Sequence, residues 1–263
     1  MHKRERTQDW GWLHARFVIA LNRLFSAETW DAIKHVVVAS IISLCALGAA
    51  TQQAAAQAYV QGNYAVPQTP QPMVTVPYTA AQTAGNLNLV IVGWSNTTAQ
   101  ISSVTDSNGN PYTLAKATIL NGNGGPLSQS IYYAKNIAAA TAGANGVKVT
   151  FTAAAVYPDV EVLEYSGLNS VNPLDVAVGA SGNSATSSSG SVTTTSATDL
   201  LVGANTVQSH SAGPGPGFTQ RLLTNPNGEI AEDQVVSTAG SYTATAPLSY
   251  AGGWVMQMVA LRP

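Results

Sequence analysis

Short runs of alternating or β-branched residues, separated by Gly, Asn, Pro and Ser, fill the chain from Leu87 to its end. These runs lack the sustained 3.6-residue period of an amphipathic helix, so the pattern predicts an all-β domain. They recur about every ten residues, which is typical of an antiparallel two-sheet β-sandwich. The predicted strands are residues 87–94, 100–106, 111–117, 128–136, 146–152, 159–167, 175–180, 191–197, 199–207, 217–223, 229–236, 241–246 and 254–261.

The two halves of this pattern resemble each other. "NLVIVG" at 88–93 parallels "DLLVG" at 199–203, and "GVKVT" followed by "DVEVLEYSG" parallels "GSYTAT" followed by "GWVMQMVAL" at a constant offset of 94 residues. A twofold repeat of strand units is what a jelly roll with two Greek keys would leave in a sequence. Chance similarity between simple β segments is the alternative.

Residues 59–85 lack the regular strand pattern of the later chain, because four prolines interrupt a Gln- and Thr-rich segment. Such a composition predicts an extended leader, and "MVTVPYT" at 73–79 is a candidate edge strand within it. The predicted organisation is therefore a signal segment at 1–58, a leader at 59–85 and one β-sandwich domain at 86–263.

The segment before residue 59 has the order of a targeting signal. The apolar run 36–50, "VVVASIISLCALGAA", is about fifteen residues long, shorter than the roughly 20 that span a bilayer but suited to a signal-peptide core. Ala56-Gln57-Ala58 is a small-x-small cleavage pattern that places the mature start near Tyr59. An extended, cleavable helical signal peptide, an upstream start codon and a retained anchor are the three interpretations. The first predicts a secreted or cell-surface protein.

Cys45 is the only cysteine and lies inside this apolar run. Leu44 precedes it where lipidation signals need a small residue, so no lipid anchor is predicted. Cleavage near Tyr59 would leave a chain with no thiol, disulfide or cysteine-based metal site. No cofactor is predicted.

Charge narrows the class of partner. Only 9% of the residues are charged, and residues 59–263 carry five cationic against nine acidic side chains. A surface with so few cations is not expected to bind nucleic acid or, after signal cleavage, a membrane.

The stretch "VTDSNGNPYTLA" at 104–115 is the one motif with metal-site spacing. Asp106, Asn108 and Asn110 occupy alternate positions, as at the start of a calcium loop. The sixth and twelfth positions of such a loop, which need Gly and a clamping acid, hold Pro111 and Ala117. Asn108-Gly109 is also a strong hairpin signal, so the sequence favours a turn, and the metal site is the alternative.

Catalysis has few candidate groups. His210 is the only histidine after residue 58 and lies in a Gly- and Pro-rich segment that we expect to be a solvated loop. Strand carboxylates are the alternative. Glu161 and Glu232 are the candidate acids if their strands lie side by side, because glycoside hydrolysis uses two carboxyl groups about 5 to 9 Å apart.

Aromatic residues suggest a binding function instead. Tyrosine and tryptophan rings stack on sugar rings through apolar area. Trp94 and Trp254 adjoin apolar runs and are expected in the core. The candidate sugar-binding residues lie near strand ends or beside Pro or Gly and are Tyr112, Tyr132, Tyr157 and Tyr250.

The ordered series "GNLNLVIVGW", "VTDSNGNPYTLA", "EYSGLNSVNPLD" and "GWVMQMVALRP" resembles a group of uncharacterised secreted bacterial β-sandwich domains over about residues 85–263. Such domains occur alone or appended to surface and carbohydrate-active proteins. The resemblance implies the fold and an exported location, and it carries no catalytic motif. The leading hypothesis is an exported, non-catalytic module that binds extracellular glycan or forms part of a cell surface or matrix. A polysaccharide-active hydrolase or lyase and a self-associating structural protein are the alternatives, and no oligomeric state is predicted.

Overall fold

The computed structural model describes residues 56–121 and 125–263. The predicted signal peptide, apart from residues 56–58, lies outside them. Within the described residues, no helix has the length and apolar character needed to cross a membrane. The all-β prediction is confirmed, since the described part of the chain forms strands joined by turns and loops. In chain order the strands are β1 (Ala58–Ala65), β2 (Gln71–Pro77), β3 (Leu87–Trp94), β4 (Ile101–Asp106), β5 (Thr113–Asn121), β6 (Leu127–Ala134), β7 (Gly146–Ala155), β8 (Asp159–Ser166), β9 (Leu174–Ser188), β10 (Val192–Thr193), β11 (Asp199–Val207), β12 (Thr219–Leu223), β13 (Ile230–Val236), β14 (Ser241–Tyr242) and β15 (Thr245–Leu261).

The strands form three larger antiparallel sheets and one short ladder. Sheet 1 has the order β1-β8-β3-β6-β5, sheet 2 the order β2-β7-β4, and sheet 3 the order β12-β13-β11-β15-β9. Strands β10 and β14 pair with each other. The β9–β15 pairing shifts register between residues 247 and 252, where β15 has more residues than β9.

Side chains alternate between the two faces of each strand, and the two faces of sheet 1 pack on different sheets. One face of sheet 1 packs on sheet 3 through residues such as Leu89, Leu163 and Val202. Its other face packs on sheet 2 through residues such as Val90, Val149 and Val162. Because both faces are covered, β3 is buried along its whole length.

Sheets 1 and 3 have the same topology. The five strands of each sheet can be numbered by their order along the chain. In both sheets they then lie side by side in the order first, fifth, second, fourth, third. The segments that resemble each other in sequence, 88–93 and 199–203, lie in the equivalent strands β3 and β11. The strand pairing does not follow the 94-residue offset seen in the sequence. Leu163 pairs with Leu89 in sheet 1, and Leu261 pairs with Leu200 in sheet 3. An offset of 94 residues from Leu163 would instead lead to Gln257.

The segment predicted as a leader is part of two sheets. Strand β2 is an edge strand of sheet 2, in the place of the predicted strand 73–79, and its prolines lie outside the centre of any sheet. Strand β1 was not predicted, because its polar residues hide the pairing with β8 that places Tyr59 beside Tyr165. The boundary drawn at residue 85 therefore does not separate a structural unit.

The close approach of two strands at Gly93 links the halves. A Cβ atom on Gly93 would lie 2.3 Å from Thr206 Oγ1, so β3 and β11 meet there without room for a side chain. The Thr206 hydroxyl donates to Gln129 Oε1 at 2.8 Å, and Gln129 Nε2 donates to the Ala204 carbonyl at 2.9 Å. This end of the layer between sheets 1 and 3 is thus closed by polar contacts.

We expect Gly93→Ala to destabilise the protein by about 1–3 kcal/mol, because the added methyl group must push sheet 3 away from sheet 1. Gly146→Ala is the matched strand control, since its Cβ would meet nothing closer than 3.5 Å. Urea denaturation of both variants measures the difference. Equal stability of the two variants would show that the junction tolerates the extra volume.

Candidate functional site

The Asp106 loop is a hydrogen-bonded corner. The carboxylate of Asp106 accepts from the backbone N–H groups of Asn108 and Asn110 at 3.1 and 2.9 Å. It also accepts from Asn110 Nδ2 at 2.7 Å, and from Tyr112 Oη and Asn145 Nδ2 at 3.1 Å each. Five donors from the protein therefore surround the two oxygens that the calcium alternative would use as ligands.

The corner does not form the hairpin that its sequence suggests. Gly109 has the positive φ expected of a turn, at 72°. However, β4 continues in sheet 2 and β5 in sheet 1, so the corner carries the chain from one sheet to the other. Asn227-Gly228 does join two paired strands, β12 and β13.

The four candidate tyrosines divide into two pairs. Tyr112 packs on the core, where its hydroxyl contacts Asp106 and Asn88, and Tyr132 is half-buried beside the same cluster. Tyr157 and Tyr250 are exposed, at 49% and 59%. Trp94 and Trp254 are both buried, which confirms the core assignment made from their apolar neighbours.

The structure separates the two candidate acids. Glu161 lies on the face of β8 that packs toward sheet 3, as Leu163 does. Glu232 alternates with Ala231, so it lies on the opposite face of sheet 3, where it accepts from the Gly215 N–H at 2.7 Å. The pairing of Glu161 with Glu232 required neighbouring strands, but β8 and β13 belong to different sheets.

A cleft of about 460 Å³ opens at the end of the layer between sheets 1 and 3, and loops from both halves form its walls. Tyr157 lines it, and the hydroxyl of Tyr250 donates to the carbonyl oxygen of Gln208, which also lines it. The lining is mostly neutral and polar, without Lys or Arg: Gln68, Ser95, Pro126, Leu127, Tyr157, Val207, Gln208, Ser209, His210, Pro226, Asn227 and Glu229. This cleft is the candidate functional site.

His210 belongs to this cleft, which the sequence did not predict. Its Nε2 lies 2.8 Å from the carbonyl oxygen of Pro226, and its ring packs where a Cβ on Gly228 would lie. The imidazole thus holds the β12–β13 turn against the loop that follows β11. The lining hydroxyl of Ser209 is buried and has no hydrogen-bond partner among residues 56–121 and 125–263.

Three acids meet behind one wall of the cleft, and we call them the acid trio: Asp159, Glu161 and Glu229. Asp159 and Glu161 come from β8 of sheet 1, and Glu229 from the turn before β13 of sheet 3. All three side chains are buried. Glu229 accepts from Thr224 Oγ1 at 3.0 Å, and its carboxyl group lies close enough to Asp159 for each acid to affect the pKa of the other.

Burial raises the pKa values of the acid trio. Desolvation raises the pKa of Asp159 to about 6, and contacts with Glu229, Thr224 and Asn227 limit the rise. Desolvation, followed by repulsion from Asp159, raises the pKa of Glu161 and of Glu229 well above the usual range. Within the described residues no donor lies at hydrogen-bonding distance of either oxygen of Asp159, although Thr224 and Asn227 lie close enough to lower its pKa.

The sequence analysis singled out Glu161 and Glu232 as candidate acids and did not place Glu229 in a site. The signal was present, since Glu229 follows the Asn227-Gly228 corner directly. What could not be read was the packing of sheet 1 on sheet 3, which brings Asp159 to it. Within residues 56–121 and 125–263, no three His, Cys, Asp or Glu side chains are arranged to hold a metal ion.

Comparison with known proteins adds no relative. No protein-family model matches the chain, and no match was found among curated proteins or solved structures. Any functional conclusion therefore rests on the residues themselves.

Asp106→Ala should lower the free energy of unfolding by about 2–4 kcal/mol, because it leaves the donors of the corner without an acceptor. Ser107→Ala, at the exposed neighbouring position, should change stability by less than about 0.5 kcal/mol.

Thermal melts of the wild type with calcium or with chelator should overlay. A rise of the melting temperature with calcium, lost in Asp106→Ala, would instead support the metal alternative.

Proposed function

We propose that this protein is an exported, non-catalytic β-sandwich that binds a glycan in the cleft between its halves. The observation that carries the proposal is the composition of the cleft: an exposed tyrosine and several amide and hydroxyl side chains, with no Lys or Arg in the lining. Amides and hydroxyls pair with sugar hydroxyls without the cost of desolvating an ion. A location outside the cell or on its surface is proposed from the apolar run 36–50 and the cleavage pattern at 56–58.

The proposed architecture is jelly-roll-like, and the strand order of the first half supports it most directly. In the first half, β1-β8-β3-β6 faces β2-β7-β4, with strands from the beginning and end of the half paired side by side. Such pairing is the topological signature of Greek-key sandwiches. The strand order of sheet 3 repeats that of sheet 1, which favours duplication over chance similarity.

The aromatic contribution is expected from Tyr157 and Tyr250. Tyr157 lies in the turn between β7 and β8 with φ of 43°, which fixes its ring at the cleft. Tyr250 lies in the irregular part of the β9–β15 ladder, and its hydroxyl contacts Gln208. An aromatic face with neutral polar groups beside it is the usual composition of a sugar site.

Binding should be measured with the full chain on an array of neutral and acidic oligosaccharides. We expect Tyr157→Ala or Tyr250→Ala to weaken binding of the neutral oligosaccharides by roughly 1–2 kcal/mol, the scale of a lost aromatic contact. Tyr132→Ala, which alters a tyrosine away from the cleft, should leave binding unchanged. High salt should have little effect, because charge contacts are the ones that salt screens.

Loss of binding in Tyr132→Ala but not in the two cleft variants would place the site elsewhere. No binding to any member of the array would contradict the glycan-binding proposal and favour a structural role.

A polysaccharide hydrolase is a second candidate, favoured by the position of Glu229 at the cleft. Its direct contact with Asp159 argues against it, because glycosidase carboxyls stand about 5 to 9 Å apart, with the sugar or water between them. Release of reducing ends from a polysaccharide, abolished by Glu229→Gln in a folded protein, would establish this activity. Glu232→Gln should not affect it.

A further inference from the structure

The acid trio is costly for the fold. Three carboxyl groups are removed from water at a junction of two sheets, and no Lys or Arg among the described residues contributes to their pKa shifts. A buried carboxylate normally gains a cation or several donors. Glu164 on the other face of β8 shows this usual solution, since donors on four different residues point at its oxygens.

A second observation connects the trio to the cleft. Ser209 lines the same cleft as Glu229, is 1% exposed, and its hydroxyl has no partner among the described residues. An unsatisfied buried hydroxyl at a cleft wall indicates that a polar group from outside the chain completes the site. Glu229 and Ser209 therefore offer a donor and acceptor set to a ligand.

The titratable groups around the trio come from several elements. On β8 they are Asp159 and Glu161 themselves, and the turn before β13 supplies Glu229. From β1, Tyr64 pairs with Glu161. The loops at the cleft supply His210 and Tyr157, while the facing positions on β6 and β11 are the neutral Gln129 and Thr206.

We propose that Asp159 and Glu229 hold one shared proton at the wall of the cleft, and that this proton fixes the ligand class as uncharged saccharides, which are released when it is lost. The inference rests on the proposed function for its ligand, but the shared proton can be tested without one.

The protonated state joins the halves. With the proton between them, the Glu229 hydroxyl donates to the Asp159 carboxylate, and sheet 1 and the β12–β13 turn are held together. When base removes the proton, two negative charges face each other in a site of low dielectric, and the turn moves away from β8. The negative charge that remains on the pair in its protonated form disfavours an anionic sugar in the same cleft.

The sign of the pH dependence follows from proton linkage. The native state holds protons that the unfolded chain has released, since free carboxyl groups titrate near about pH 4. Stability is therefore fully present below that pH and declines as the pH rises, through about 6 for Asp159 and higher for its partners. Each extra native proton makes the unfolding constant rise about tenfold per pH unit.

The decisive experiment is a carbon-13 NMR titration of the side-chain carboxyls in the full chain, with urea denaturation at about pH 5 and about pH 8. We expect one carboxyl of the pair to remain protonated at neutral pH and to disappear from the titration in Glu229→Gln. This variant keeps a hydrogen-bond donor toward Asp159, so it should fold and be more stable than the wild type at the higher pH.

Glu232→Gln is the matched control. Its acid is also buried, and desolvation raises its pKa to about 7, but it lies on the opposite face of sheet 3. Both variants should flatten the pH profile of stability. Only Glu229→Gln should remove the pH dependence of binding on an array of neutral oligosaccharides, which in the wild type weakens at least tenfold from about pH 5 to about pH 8.

Titration of both Asp159 and Glu229 near about pH 4 would overturn the proposal. Equal binding of neutral oligosaccharides at the two pH values would overturn its functional part, as would preferred binding of uronate oligosaccharides. If no oligosaccharide binds while the shared proton is found, the glycan-binding function fails and the proton pair stands as a device that holds the halves together.

Discussion

The packing of two five-stranded sheets on one shared apolar layer is the constraint on which the rest of this structure depends. Leu89, Leu163, Val202 and Val259 belong to that layer, and their removal from water is the main favourable term available to a domain without cysteine after residue 45. Because sheet 1 is also covered by sheet 2, its central strand β3 is buried on both faces. The identical strand order of sheets 1 and 3 makes the layer a contact between two similar surfaces.

At each end of the apolar layer between sheets 1 and 3, buried polar groups need hydrogen-bond or ionic partners from the protein. The two ends provide different partners. At one end Arg221 contacts Asp233 at 2.8 Å and lies over the ring of Tyr59, so cation, acid and aromatic ring stabilise each other. At the other end the acids have no such cation. There the close approach of Gly93 to Thr206 holds the sheets together, and the loops beyond it leave the cleft open.

The sequence predicts the parts of this arrangement that depend on local pattern. Strands β3, β8 and β11 follow from apolar alternation, and the burial of Trp94 and Trp254 follows from their apolar neighbours. The sequence predicts a turn at Asn108-Gly109. It does not predict which sheets the turn joins, because that depends on strand partners that are distant in sequence. The same limit explains why Glu161 and Glu232 were paired: both stand on buried strands, and only the packing of the sheets shows that they lie on opposite sides of one of them.

The contrast between Glu164 and the acid trio is the strongest argument that the cleft is more than a gap between loops. Both kinds of acid lie on or beside β8, and both are buried. Glu164 receives donors from Gln61, Gln82, Thr83 and Asn86, so the fold is able to build a satisfied site for a carboxylate at this depth. At the cleft, by contrast, no donor of the described residues lies at hydrogen-bonding distance of the Asp159 oxygens, and Glu229 lies close to the same carboxyl group. The wall of the open cleft therefore carries acids whose hydrogen bonds are less complete than those of Glu164, and this difference is local to one end of β8.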